Sequence, residues 1–220
     1  MIYLIMLQVL SIIYLPKQEQ PNSLTERIKL VGNIDTLVMN AVNNDKHYPK
    51  MNMEEREMLY WVNLCRKEPK YFWDSIIAQK YLPKGWDKNP YFTTLKRDLY
   101  KAKDLKLLST QDSLLNAARF HANDLNNNRK FGHNSTDGTD CFERLNHFGI
   151  IYCAGENISL GHISMLDALI VLLVDVNVQD LGHRLNILSE DFDRIGLSCI
   201  PTTQPGYRGY LIVQDFGCQL

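Results

Sequence analysis

Cysteine is sparse in this sequence: Cys65, Cys141, Cys153, Cys199 and Cys218 are the only five in 220 residues, and no two form a Cys-x-x-Cys pair. That excludes a small disulfide scaffold, a zinc finger, a thioredoxin-like redox site and covalent haem attachment. The odd count leaves at least one thiol unpaired within a chain. Charge of one sign is missing too. Twenty-four basic against 25 acidic residues give a net charge of −1, so no whole-molecule field draws in a polyanion and nucleic acid is not expected as a partner. There is no His-Glu-x-x-His, Walker loop, Gly-x-Ser-x-Gly elbow or Gly-x-Gly-x-x-Gly, which removes the common zincin, nucleotide and serine-hydrolase signatures. Internal repeats and low-complexity blocks are also absent. A composition of 45% hydrophobic and 22% charged residues is what remains, and it fits one ordinary globular core.

Residues Ile2 to Leu15 are apolar apart from Gln8 and Ser11. As a helix they reach only about 21 Å, short of the roughly 30 Å hydrocarbon core of a bilayer. The stretch fits the apolar region of an export signal, residues 1–15, although no Lys or Arg precedes it and no Ala-x-Ala follows. The alternative is an apolar element packed on the body. Residues 16–52 hold Pro16, Pro21, Pro49 and one short helical pattern over Leu24 to Asn40, and read as an N-terminal extension or linker. No transmembrane stretch appears later.

The body, residues 53–220, opens on Asn52 and Glu55 at capping-box spacing, followed by a stripe of Leu59, Val62 and Cys65. A second short helix carries Tyr71, Phe72, Ile76 and Ile77, and Pro83, Gly85 and Pro90 mark a loop before a helix with Leu95, Leu99 and Ala102. The clearest helix starts near Thr110 with Asp112 as cap, and puts Leu114, Ala118, His121, Ala122 and Leu125 on one face. A helix from Ser164 to about Asp175 is apolar nearly all round and is expected to be buried between layers. Ile195–Ile200 and Gly209–Phe216 read as a β-hairpin with Pro201–Arg208 as its loop, which would set Cys199 opposite Tyr210. With one further strand near Ile150–Tyr152, the pattern is an α+β layered sandwich.

Three segments join glycine to an acid–base side chain: Phe131-Gly-His133-Asn-Ser-Thr-Asp-Gly138, Ala154-Gly-Glu156-Asn-Ile-Ser159 and Leu181-Gly-His183-Arg-Leu-Asn-Ile-Leu188. Each falls at a junction between elements, where binding residues are presented by a rigid scaffold. Two imidazoles with carboxylates can form a divalent-metal site, a general acid–base pair, or both. Each segment alone is a weak signal. His121 reads as a packing residue, and His147 and His162 as solvated. Arg184 and Asn186 read as fixing the turn after His183, and Asp137-Gly138 as a tight turn. Ser135 and Ser159 are the nucleophile candidates, without a recognisable elbow. Trp61, Trp73 and Trp86 read as core.

Taken in order, the long helix leading to His133, Gly155-Glu156-Asn157-Ile158, Gly182-His183-Arg184-x-Asn186-Ile187-Leu188, Ile195-Gly196-Leu197 and Val213-Gln214-Asp215-Phe216-Gly217 resemble the CAP superfamily. This is the group of cysteine-rich secretory proteins, antigen 5 and pathogenesis-related 1 proteins, or SCP domain, and the likeness is to its bacterial branch over about Met53 to Leu220. The resemblance implies an α-β-α sandwich with a central, mainly antiparallel sheet and a cleft holding two histidines and two acids. Carried over, these are His133, His183, Glu156 and, as the second acid, Asp175, with Asp180 the weaker candidate. The stretch Asn177-Val-Gln-Asp-Leu181 departs from the Trp and Ser common in bacterial relatives, and the segment Tyr71–Lys106 is longer than a minimal domain needs and can cover one end of the cleft.

The resemblance further implies a secreted or cell-envelope protein whose cleft binds a small molecule, a lipid or a divalent metal. Zn2+ would be held weakly by His133 and His183, with Glu156 and Asp175 orienting the rings. The alternative is a zinc-dependent hydrolase of peptide or cell-wall material with Glu156 as base.

Overall fold

The computed structural model describes residue 21 and residues 23–218; the expected export signal, 1–15, lies outside the described residues. Leu24 to Asn40, expected as one helix, is two: α1 (Leu24–Lys29) and α2 (Thr36–Asn43). Gly32 and Asn33 favour a turn between them, and Asp35 restarts the helix by accepting from the Val38 N–H at 2.9 Å. Leu24, Ile28, Val38 and Val42 enter the main core.

Helix α3 (Met53–Lys67) begins on the reciprocal Asn52–Glu55 cap read from the spacing. It is buried almost all round because it lies between α1, α2 and the sheet. The turn Pro69–Tyr71 then runs into a π-helix, Phe72–Tyr81, and α4 (Pro90–Lys101) follows a loop. Helix α5 (Asp112–Asn128) buries Leu114, Ala118, His121, Ala122 and Leu125 as its period requires. Its cap position is Gln111, not Asp112. Asp112 lies one residue inside, where its carboxylate meets Lys50 Nζ at 2.6 Å and His47 Nε2 at 3.0 Å. The remaining α-helices of the described residues are α6 (Cys141–His147), α7 (Met165–Val174) and α8 (Gly182–Leu188).

Among the described residues, four strands form one sheet in the order β1-β3-β4-β2: β1 (Ser109–Thr110), β2 (Ala154–His162), β3 (Arg194–Pro201) and β4 (Tyr210–Gly217). Only the β1–β3 pair is parallel. The terminal hairpin forms, but its register differs from the expected one. Cys199 faces Ile212, and Tyr210 faces Pro201, because the loop lies one residue further on, at 202–209, with Thr202 N–H bonded to Gly209 O at 2.9 Å, which moves every partner by two. The strand expected near Ile150–Tyr152 begins instead at Ala154. Cys153, with φ 53°, turns the chain there and is bonded to Cys218, Cα to Cα 5.8 Å. Cys65, Cys141 and Cys199 are free thiols, and burial pushes Cys65 up to about 12.

Strand alternation divides the sheet cleanly. Ile195, Leu197, Ile212 and Phe216 face α3 and α7, while Ile158, Leu211 and Val213 face α5. The result is an α-β-α sandwich with β2 as the outer strand on the side of the cleft.

Candidate functional site

A cavity of about 500 Å3 runs along β2. Ile158 and Leu160 of β2, Ile170, Val171 and Val174 of α7, and Phe92 of α4 line it, with His133 and His183 in its wall.

His133 sits on the loop after α5. Its Nδ1 is 2.8 Å from Glu156 Oε1. Glu156 is buried on β2, and its other oxygen takes the guanidinium of Arg144 from α6. Arg144 also ties down the loop carrying the histidine, donating to His133 O at 2.9 Å and Ser135 Oγ at 3.1 Å. From α5, His121 donates through Nε2 to Gly132 O at 3.0 Å, so the packing residue of the long helix also positions the loop. Burial works to raise the Glu156 pKa, but the His133 hydrogen bond and the Arg144 charge carry it below the usual carboxylate value. Burial lowers that of His121.

His183 opens α8, and its Nδ1 is 2.7 Å from Asp175 Oδ1. Asp175 ends α7 in the left-handed region at φ 58°, a conformation that Asp tolerates better than most residues. Its second oxygen accepts the Arg184 N–H at 3.2 Å. Asp180 is exposed and accepts only from Gly182 N–H among the described residues. Arg184 is buried and donates to Leu173 O, Val174 O and Asp98. It locks α8 onto α7 and α4.

Asn157 and Asn186 join the two halves. Asn186 Nδ2 donates to Asn157 Oδ1 at 2.8 Å and Glu156 O at 3.2 Å, and Asn157 Nδ2 donates to His183 O at 3.2 Å. Gly155 admits this contact, since a Cβ there would come within 2.7 Å of Asn186 Oδ1.

The two imidazoles stand 6.4 Å apart, centroid to centroid, at 30°. With each Nδ1 against a carboxylate, each Nε2 is left with its lone pair for a ligand. Two such nitrogens fit a zinc ion completed by water or a bound group. No cluster of three metal-capable side chains occurs among the described residues. Imidazoles sharing one zinc, with Zn–N bonds of about 2.0–2.1 Å, have centroids roughly 5 Å apart, so the rings must close by about 1 Å to hold it.

Several residues of this region are given no site role by the sequence. Arg144 and Asp215 flank Glu156. Asp215 stands opposite it on β4, fully buried. Tyr81, His162 and Asp167 line the cavity. His162 is half-buried there, not solvated, and burial pushes its pKa down to about 4. Burial likewise raises Asp167 to about 6. Ser135 Oγ is taken by Arg144, while Ser159 is buried in the cavity wall.

A profile of the cysteine-rich secretory protein family, CAP, matches residues 59–216. The uncharacterized protein YkwD of Bacillus subtilis (strain 168) is 32% identical over 97 residues, which are 44% of this chain and 36% of YkwD, so the match spans about a third of that relative's length. Two solved structures are similar. One is an extracellular protein containing an SCP domain from Bacillus anthracis str. Ames, at 25% identity and TM-score 0.42, covering 58% of this chain and 40% of that one. The other is an outer surface protein from Borrelia burgdorferi, at 21% identity and TM-score 0.44, covering 59% of this chain and 90% of that one.

Proposed function

The chain belongs to the cysteine-rich secretory protein family, and on that premise we propose that it is an exported binding module whose cleft takes a small apolar molecule beside a two-histidine site able to hold Zn2+. The observation that carries this reading is the cavity of about 500 Å3, lined mostly by apolar side chains and with His133 and His183 in its wall. Sites of this size and lining enclose small ligands, with a few polar groups setting orientation. His133 and His183 would hold the metal, and Glu156 and Asp175 would fix their tautomers. When bound, zinc would offer a Lewis-acidic position for a polar group of the ligand.

Binding is favoured over hydrolysis because Glu156, the base that a hydrolase would need, has one oxygen on His133 and the other on Arg144. Export is supported by the Cys153–Cys218 bond, which persists in oxidising compartments.

Calorimetry with zinc tests the site. Weak binding that is lost in His133→Ala and in His183→Ala is the expected result. Unchanged affinity in His183→Ala would remove the metal from the proposal. Partition of an apolar fluorescent probe into the parent, reduced by Val171→Trp, tests the cavity by itself.

A further inference from the structure

The cavity opens at a rim that is itself apolar. Phe131, Ile163 and Tyr207 line it and are 57%, 64% and 50% exposed. Large apolar side chains gathered around one opening mark a surface that something covers. They come from three loops, and the fold fixes their positions. Gln204 Nε2 donates to Lys130 O at 2.6 Å, joining the loop after α5 to the β3–β4 loop. At the end of β2 the same β3–β4 loop approaches so closely that a Cβ on Gly161 would lie 2.9 Å from Tyr207 Cδ1, and one on Gly209 2.2 Å from His162 O.

Beside these tips stand cations. Arg129 and Lys130 precede Phe131, Arg208 follows Tyr207, and Lys84 follows the cavity-lining Pro83; all four are exposed. None forms an ion pair among the described residues. The cavity's acids sit deeper, Asp167 half-buried and Asp175 buried.

We propose that this rim docks on an anionic lipid surface, with Phe131, Ile163 and Tyr207 entering the headgroup layer and Arg129, Lys130, Arg208 and Lys84 meeting lipid phosphates. Apolar tips with basic residues beside them are the chemistry of interfacial binding. A fluid surface also accommodates three tips from separate loops without a matching shape, and an apolar path then leads from the bilayer into the cavity. Docking does not require the cleft to hold zinc or a ligand, so it stands or falls separately from the function proposed above.

Co-sedimentation of the full chain with vesicles of phosphatidylcholine, alone or with about a third phosphatidylglycerol, tests this. The mixed vesicles should bind the protein and the neutral ones much less, with binding falling as salt rises. Arg129→Ser and Arg208→Ser should each weaken it about fivefold, and Phe131→Ser with Ile163→Ser should remove most of it. These side chains are exposed, so unchanged circular dichroism is expected. Residues 2–15 are present in every variant, so the rim is read from the difference between variant and parent. Equal binding by Phe131→Ser/Ile163→Ser and the parent, equal binding to both vesicle types, or no binding by the parent would overturn the proposal. Retained vesicle binding in His183→Ala would support it.

Discussion

Glu156 and Asp215 face each other across β2 and β4, both buried, and neither oxygen of Asp215 receives a hydrogen bond from any N–H or O–H donor of the described residues. Two carboxylates cannot both stay charged in such a place. Burial, with the adjacent Glu156 charge, pushes Asp215 well above the usual aspartate range. Glu156 keeps the single negative charge, held by Arg144 and His133. The proton on Asp215 can then bridge the pair. The tautomer of His133 thus rests on a strand that the ring does not touch.

Asp215→Asn should be at least as stable as the parent at pH 7. The stability tied to Asp215 is complete below the ordinary aspartate range and is lost as pH rises toward its raised folded value. A neutral amide escapes that loss, so urea melts of the variant should vary less from pH 5 to 8. A destabilisation above about 1 kcal/mol at pH 7 would show that the carboxyl has another role.

Glu156→Gln should do the opposite. It leaves Arg144, 1% exposed, without its anion, and breaking a buried pair in this way costs about 3–5 kcal/mol. The same variant should weaken zinc binding about 10- to 100-fold, the usual effect of losing a partner that orients a ligand. Denaturant melts and calorimetry read the two effects separately.

Two cavity residues set opposite pH limbs. Asp167, raised to about 6 by burial, contributes stability that is full below about 3.8 and lost as pH rises through about 6. His162, lowered to about 4 by burial, contributes stability that is full above about 6.5 and lost as pH falls through about 4. Asp167→Asn should therefore gain about 2–3 kcal/mol at pH 7.5 and little at pH 4. His162→Gln should flatten the acid limb. Parallel pH profiles of either variant and the parent would contradict the assignment.

Gly196 is where β3 crosses α5. A Cβ there would lie 2.1 Å from the backbone C and O of Leu114, so Gly196→Ala forces the helix off the sheet. A loss above about 3 kcal/mol is expected, larger than usual for a single added methyl. Leu114→Ala, at the same contact and 0% exposed, should cost about 2–5 kcal/mol.

The Cys153–Cys218 bond closes a loop of 65 residues' separation, for which chain entropy gives about 4 kcal/mol of stabilisation. Cys153→Ser should lower stability by about that amount in oxidising buffer and make no difference in reducing buffer. Thiol counting should find three free cysteines in the unfolded parent before reduction.

Period and spacing along the chain were enough to read α5, the apolar helix α7, the Asn52–Glu55 cap and the terminal hairpin, because each is made by residues close in sequence. The family resemblance carried by the glycine-flanked motifs pointed to His133, Glu156, His183 and, with Asp180 as the weaker candidate, Asp175, and the structure brings these four together as two imidazole–carboxylate pairs. Less was legible where the outcome depends on distant parts. The break between α1 and α2 lies in a weak helical pattern, and the helix read around Phe72, Ile76 and Ile77 is a π-helix over Phe72–Tyr81. Tyr81, Asp167 and His162 carry no motif and meet only around the cavity.

Local chemistry in the sequence by itself determined the element types, the family motifs and the odd thiol. Tertiary structure alone decided that Cys153 pairs with Cys218, that Asp215 faces Glu156 and that Phe131, Ile163 and Tyr207 share one rim. The reason is register. A shift of one residue in a strand turns every side chain to the other face, and even the two-residue shift of this hairpin, which keeps the faces, gives every residue a new partner. Which residue meets which is settled by where Thr202 and Gly209 close the loop and by how the helices pack, and neither is written in any short stretch of chain.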